Sequence, residues 1–254
     1  MPVVLTEKPS AHTTIITLNR PERRNALTIE LMTELTAAID AASADDAQRV
    51  VILRGAGPGF CSGMDLNETA DPTKAHESGG MVAKTLLAIS QTRLVTIAAV
   101  HGAAVAGGAG IMSACDFVVA AEGTKIGYPE VKRGLVAGLV MTFLRRQLRE
   151  RDIRELLLAG YLIDAARARE IGLVNRVVRA DQVEAEVQKL ATSVLQGAPG
   201  ALANSKRLLE QLWSTSVKED IEHALSHHMQ ARESLEAKEG VAAFLEKRKP
   251  RWAE

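Results

Sequence analysis

The stretch Leu94-Val95-Thr96-Ile97-Ala98-Ala99-Val100-His101-Gly102-Ala103-Ala104-Val105-Ala106-Gly107-Gly108-Ala109-Gly110-Ile111-Met112-Ser113-Ala114-Cys115 contains no Asp, Glu, Lys or Arg and is long enough to cross a bilayer. Its interior argues against a span. Gly102, Gly107, Gly108 and Gly110 break it, and His101 sits inside it. The alternative is a fully buried parallel strand over 94–100, a glycine-rich turn, and a short helix opened by Gly107 and running through Met112. That reading places the segment at the centre of an α/β domain rather than in a membrane.

Working outward, apolar runs at 3–6 and 13–18 predict two strands joined by a short polar turn. Thr28 then opens a helix with Ile29, Leu31, Met32, Leu35 and Ile39 at helical spacing, ending near the Ser43-Ala44-Asp45-Asp46 breaker. Residues 49–54 form a β-rich run stopped by Gly55-Ala56-Gly57-Pro58-Gly59, and a loop carries residues 60–66. A helix is expected over 74–90, a strand at 117–120, a short β segment around Ile126, and the loop Tyr128-Pro129-Glu130. Such alternation of strand, loop and helix predicts an α/β fold with functional groups gathered on loops leaving the strands. Beyond about Gly138 the pattern becomes helical, interrupted by one strand at 173–178. Segments 180–196, 200–213, 217–235 and 236–247 carry apolar residues at three- and four-residue spacing, the last three forming a helical subdomain after Gly197-Ala198-Pro199-Gly200.

A chain of 254 residues, 46% hydrophobic and 24% charged, buries a full core as one large domain or one domain with an appendage, which excludes disordered and fibrous classes. Lys plus Arg equals Asp plus Glu at 31 each, so no global field attracts nucleic acid. Cys61 and Cys115 sit in apolar or glycine-rich runs, which suits a reducing compartment and a cytoplasmic location. Met1-Pro2-Val3-Val4-Leu5 has no basic region followed by an apolar stretch, so no signal peptide is expected.

Several chemistries fail on pattern. Gly55 to Gly59 follows a strand, but Phe60 stands where a dinucleotide fingerprint needs its last glycine, and no lysine completes a P-loop. Ser62 is displaced by one position from a nucleophile elbow. His223 and His227 are four apart on a helix, yet no Glu follows His223 as a zincin requires, so they read as surface histidines and no metal site is expected.

Four stretches in order carry a resemblance: Asn19-Arg20-Pro21 with Asn25-Ala26-Leu27; Phe60-Cys61-Ser62-Gly63-Met64-Asp65-Leu66; Gly102-Ala103-Ala104-Val105-Ala106-Gly107-Gly108; and Pro129-Glu130-Val131. With the closing Phe244-Leu245-Glu246-Lys247-Arg248, this set resembles the crotonase (enoyl-CoA hydratase/isomerase) superfamily over essentially the whole chain. The resemblance implies a crotonase-like spiral of ββα turns over 1–197 carrying the active site. It also implies a helical C-terminal subdomain over 198–254 for oligomerisation and coenzyme A contact, and assembly as a homotrimer or a dimer of trimers. It implies an acyl-CoA substrate with no separate cofactor, coenzyme A being part of the substrate.

By the same resemblance, the backbone N–H groups of Met64 and Gly107 form an oxyanion hole for the thioester carbonyl and Glu130 is the catalytic carboxylate. Arg24, Ala26, Ser62, Asp65 and Leu66 are neighbours of the thioester ligand, and Phe244 and Lys247 lie near the adenine and phosphates of coenzyme A, often from a neighbouring subunit. The chemistry is coherent, since proton transfer alpha to a thioester develops charge on the carbonyl oxygen and needs two fixed donors there. On spacing alone Glu130 could equally be a solvated loop residue paired with Lys132 or Arg133.

One position departs from the family. Its hydratases usually carry a second glutamate three residues after the oxyanion-hole glycine, and Gly110 stands there. Moving a double bond needs only one base, which tilts the expectation toward isomerisation while leaving enoyl-CoA or methylglutaconyl-type hydration open. A non-catalytic acyl-CoA-binding protein is the alternative from another class. Residues 70–80 and 136–143 are expected to line the acyl end.

Overall fold

The computed structural model describes residues 1–70 and 72–253, leaving aside the side chains of Pro72 and Ala75. In chain order the first half runs β1 (Val4–Ser10), β2 (Thr13–Leu18), α1 (Ile29–Ala44), β3 (Val50–Gly55), α2 (Leu66–Ala70), α3 (Pro72–Gln91), β4 (Val95–Val100), β5 (Ala103–Val105), α4 (Gly107–Ala114), β6 (Phe117–Ala121) and β7 (Lys125–Gly127). A 3-10 turn at Pro129–Arg133 precedes α5 (Gly138–Gln147), α6 (Glu150–Arg154), which continues into a π-type turn to Ala159, β8 (Ile163–Asp164), α7 (Ala165–Glu170) and β9 (Arg176–Val178). Helices α8 (Val183–Leu195), α9 (Pro199–Gln211), α10 (Val217–Glu233) and α11 (Leu235–Leu245) follow.

The main sheet has the order β1-β2-β3-β4-β6-β9, with β2, β3, β4, β6 and β9 mutually parallel and β1 antiparallel at the edge. Its central strands β3, β4 and β6 are nearly continuous apolar runs because both faces are covered. Ile16, Leu18, Val51, Leu53, Ala98 and Val100 belong to a core with α1, α3 and α4. Their alternates Ile15, Val50, Ile52, Ile97 and Ala99 pack on Val187, Leu190 and Ala191 of α8. Each fully buried Ile or Leu contributes about 1.5–3 kcal/mol, so this double covering holds the sheet ends that carry the loops in place. A second sheet, β5-β7-β8, is short, with β5 and β7 parallel.

The predicted α/β architecture is found, and the 94–115 stretch is β4, β5 and α4 rather than a span. Among the described residues no helix is long and apolar enough to cross a membrane. Thr28 caps α1, its hydroxyl accepting from the Leu31 amide at 3.2 Å. Differences lie where local pattern is silent. Strand β1 runs on to Ser10 with an exposed polar face, because its edge position rests on pairing with β2 rather than on burial. Only 176–178 of the expected 173–178 strand pairs with β6; Leu173 and Val174 are buried in the turn after α7. Strands β5 and β8 were not anticipated. In the C-terminal part, α10 packs against α3 and α5, and α11 against the 129–133 turn, so the helical segment closes over the loops.

Candidate active site

The cleft is built from two loops that leave β3 and β4. Asn25, fully buried and with a φ of 55°, holds the first: its amide donates to the carbonyls of Ala56 and Gly59, both at 2.9 Å, and its oxygen accepts from the Arg20 amide at 2.8 Å. The segment 60–65 is then laced on both sides. Phe60 N donates to His101 O (3.0 Å), Cys61 N to Ala103 O (3.1 Å) and Val105 N to Cys61 O (3.0 Å). On its other edge Leu27 N donates to Gly63 O (2.8 Å) and Asp65 N to Leu27 O (2.9 Å). Arg20 closes the frame with an ion pair to Asp65 at 3.3 Å, and the second Asp65 oxygen accepts from the Asn67 amide at 3.1 Å.

Where the two loops meet, side chains are missing because there is no space for them. A Cβ on Gly108 would lie 2.4 Å from the Cys61 carbonyl oxygen, and one on Gly63 would lie 2.9 Å from the Ala106 Cβ. Ala106 itself has φ 52° and ψ −124°, a conformation that costs an L residue on the order of 1–3 kcal/mol and persists only when its surroundings enforce it. The enforcement is visible: its amide donates to Gly127 O at 2.8 Å and its carbonyl accepts from Gly110 N at 2.9 Å. The peptide carrying the Gly107 N–H is thereby set at the first turn of α4. Neither Met64 N nor Gly107 N donates to any acceptor among the described residues. Two free donors from adjoining loops are what an oxyanion requires.

Glu130 faces the same cleft from the 3-10 turn. One of its oxygens, Oε2, is enclosed with no hydrogen-bond partner, and burial pushes the carboxyl up from 4.5 to about 7, against the pull of its own backbone N–H and of Arg133. No ion pair to Lys132 or Arg133 forms; the Arg133 guanidinium lies instead over the Phe244 ring, 4.3 Å from its centroid. The cleft encloses about 340 Å³. Met64, Gly107 and Glu130 line it together with Arg24, Ala26, Ser62, Asp65, Leu66 and Phe244. Lys247 does not: it is exposed, two residues beyond the end of α11. Of the expected acyl-end segments, residues 136–140 line the cleft, whereas no described residue of 70–80 does so, the wall there being Thr69 and Val82; Asp71 lies outside the described residues.

Residues 9–254 match the family model described as Enoyl-CoA hydratase/isomerase. The chain belongs to that family. It is 36% identical over 245 residues to an enoyl-CoA hydratase of Mycobacterium tuberculosis, covering 94% of this chain and 92% of that one. To the mevalonyl-coenzyme A hydratase of Aspergillus fumigatus it is 34% identical over 250 residues, covering 96% and 92%. The crystal structure of an enoyl-CoA hydratase from Mycobacterium avium superposes with a TM-score of 0.86 at 34% identity, covering 98% of each chain. The protein is therefore an enzyme of the enoyl-CoA hydratase/isomerase family.

For a member of this family the neighbourhood of Gly110 is informative. Its missing side chain is replaced by packing: a Cβ there would lie 2.5 Å from Val140 Cγ1, so α5 fills the space a second carboxylate would need. Among the described residues of the cleft the carboxylates are Glu130 and Asp65, and Asp65 is held by Arg20. The thiol of Cys61 is buried, pushed up to about 12, and remains protonated. His223 and His227 stack edge to face at 4.8 Å, and no group of three or more metal-ligating side chains occurs among the described residues. Sequence reasoning assigned no role to Asn25, Ala106, Arg133, His228 or Arg232, of which Asn25 and Ala106 stand inside quoted motifs; Val140 falls within the 136–143 segment expected at the acyl end.

The raised Glu130 carboxyl couples stability to pH. Below about pH 4.5 both folded and unfolded states hold the proton and no penalty exists. Between there and about 7 the folded state keeps a proton that the unfolded state loses, so stability falls as pH rises, by roughly 3 kcal/mol in full. Glu130→Gln removes that penalty but leaves a buried amide donor unpaired, for a net gain of about 1–2 kcal/mol near pH 8. Thermal melts are expected to show the variant more stable than wild type near pH 8 and less stable near pH 4, by about 1–2 kcal/mol, where only the unpaired amide counts; a constant difference at both would contradict the burial of this carboxyl.

Proposed function

We propose that this enzyme moves the double bond of an enoyl-CoA thioester, with Glu130 as its one acid–base group. Glu130 takes the C2 proton of a 3-enoyl thioester, the electron pair shifts onto the carbonyl oxygen, and the N–H groups of Met64 and Gly107 stabilise that oxyanion. The same proton then goes to C4 as the double bond re-forms between C2 and C3, so nothing is gained or lost. The observation that carries this reading is the filled space at Gly110, which leaves a single free carboxylate beside two unpaired amides.

The rim residues Arg24, Ala26, Ser62, Asp65 and Leu66 hold the thioester end in this proposal, and Phe244 under Arg133 takes the coenzyme A side. Lys247, outside this subunit's cleft, would reach coenzyme A only across a subunit interface in the proposed trimer. The exposed Leu208, Leu209, Leu212 and Trp213 around the end of α9 offer an apolar surface for that assembly.

Hydration is the second reading, supported by the names of the relatives. There Glu130 takes a proton from water as its oxygen attacks C3 of a 2-enoyl thioester, and returns a proton to C2. Incubation with 3-enoyl and 2-enoyl thioesters, followed by mass analysis, separates the two. Isomerisation yields a product of unchanged mass from the 3-enoyl substrate. A product heavier by one water from the 2-enoyl substrate, with no isomer formed, would replace the first reading by the second. Binding without turnover of either, unchanged by Glu130→Gln, would leave an acyl-CoA-binding protein.

A further inference from the structure

One end of the cleft holds a cation with no counter-charge. Arg232 and His228 stand one turn apart on α10, each only 8% exposed, and both line the cavity that contains Glu130. Arg232 Nη1 donates to Ser78 Oγ of α3 at 3.2 Å, while its Nη2 is buried without a partner. No carboxylate pairs with this guanidinium among the described residues. Arginine does not shed its proton to escape burial, so a guanidinium left this way retains a full, poorly solvated charge. His228 offers no compensation: its Nδ1 bonds to the Val136 carbonyl at 3.1 Å, and burial together with Arg232 lowers its pKa, which keeps it neutral. The second cation facing this cavity near the catalytic carboxyl, Arg133, is occupied by the Phe244 ring.

We infer that Arg232 is a specificity residue that receives an anionic group, a carboxylate at the far end of the acyl chain, so that the preferred substrates are enoyl thioesters of dicarboxylic acids. The inference rests on the cleft being the thioester site. It follows from position and charge together. The α10 helix meets α3 at Ser78 and Gly79, and the Val136 carbonyl fixes His228 in the same corner, so Nη2 is buried without a partner on a residue that borders the cavity. A terminal methyl would leave the cation unpaired against apolar matter. A terminal hydroxyl would satisfy Nη2 and could donate to the free His228 Nε2, but it would leave the charge uncompensated. A carboxylate supplies both the acceptor and the charge, and charge-assisted bonds are roughly twice as strong as neutral ones.

The test is calorimetric binding of three saturated thioesters that differ only at the chain end: glutaryl-CoA, valeryl-CoA and 5-hydroxyvaleryl-CoA. Wild type is expected to bind glutaryl-CoA about tenfold to a hundredfold more tightly than valeryl-CoA, as a charge-assisted bond implies. Arg232→Met is expected to abolish that preference, and Arg232→Lys to keep part of it. Turnover of glutaconyl-CoA against 2-pentenoyl-CoA should follow the same order. Equal wild-type affinity for glutaryl- and valeryl-CoA overturns the inference, as does a hydroxyl that binds as well as the carboxylate. A variant that weakens all three ligands equally would show that Arg232 only pins α10 to α3. If Arg232→Met fails to fold, the wild-type comparison and Arg232→Lys decide. Should thioesters bind and turn over with no preference at the chain end, only the Arg232 site is lost; should no coenzyme A thioester bind, the reading of the cleft falls with it.

Discussion

Glu130→Gln is expected to lower kcat by about a thousandfold, inside the two to four decades that a positioned acid–base group supplies, with KM unchanged. The amide has the shape of the carboxyl but cannot accept the alpha proton. No neighbour can take over, because Asp65 is bound to Arg20 and the Asn67 amide and the site beside Gly110 is filled by Val140. The burial that enables the carboxyl also explains why its loss stabilises the fold at neutral pH, so activity and stability move in opposite directions in one variant. The measurement is steady-state turnover alongside a melt. Residual kcat within about tenfold of wild type, in a folded variant, would remove Glu130 from the mechanism.

Gly108→Ala carries the second large effect. Inside an isolated helix this change is favourable by about 1 kcal/mol, since alanine loses less backbone freedom than glycine. Here the new methyl would stand 2.4 Å from the Cys61 oxygen, 2.7 Å from Cys61 Cβ and 2.8 Å from its carbonyl carbon. Cys61 cannot retreat, being laced to Ala103 and Val105 through its backbone. The loops must separate, at an overpacking cost of about 1–3 kcal/mol, which moves apart the Met64 and Gly107 amides proposed to hold the oxyanion. Losing one such donor lowers kcat by about a hundredfold to a thousandfold. Gly80→Ala in α3 is the matched control, because a Cβ there meets nothing within 4 Å. It should raise the Tm and leave kcat alone. A Gly108→Ala enzyme with wild-type kcat and Tm would mean that close approach of the loops has no part in catalysis.

Much of this arrangement is legible in the linear chain. The run from Leu94 to Val100 reads as a doubly covered strand because a parallel sheet buries both faces, and a run with no alternation is the signature of that condition. Thr28 marks the start of α1 because a hydroxyl there meets an unpaired amide. The ordered motifs identify Glu130, Met64 and Gly107, and the structure brings all three to one cleft. Lys247 shares a motif with Phe244 yet lies outside this cleft, and its backbone takes a left-handed conformation with φ 55°.

What a pattern cannot show is a contact between distant residues. Strands β5 and β8, three and two residues long, exist only because β7 lies between them. Ala106 looks like any small residue in a glycine-rich turn, and its unusual conformation is imposed by Gly127 and by the start of α4. Gly110 suggests an empty space where the structure has Val140. Arg232 reads as one more charge on a helical surface, yet α3 and the loop at Val136 bury it. The sequence by itself determined the central strands, most of the helices and which residues are proposed to react, because hydrophobic period, caps and short motifs act over a few residues. Tertiary structure alone decided how closely the loops approach, what fills the space beside Gly110 and which charge is left unpaired, because those depend on packing between segments that local pattern does not relate.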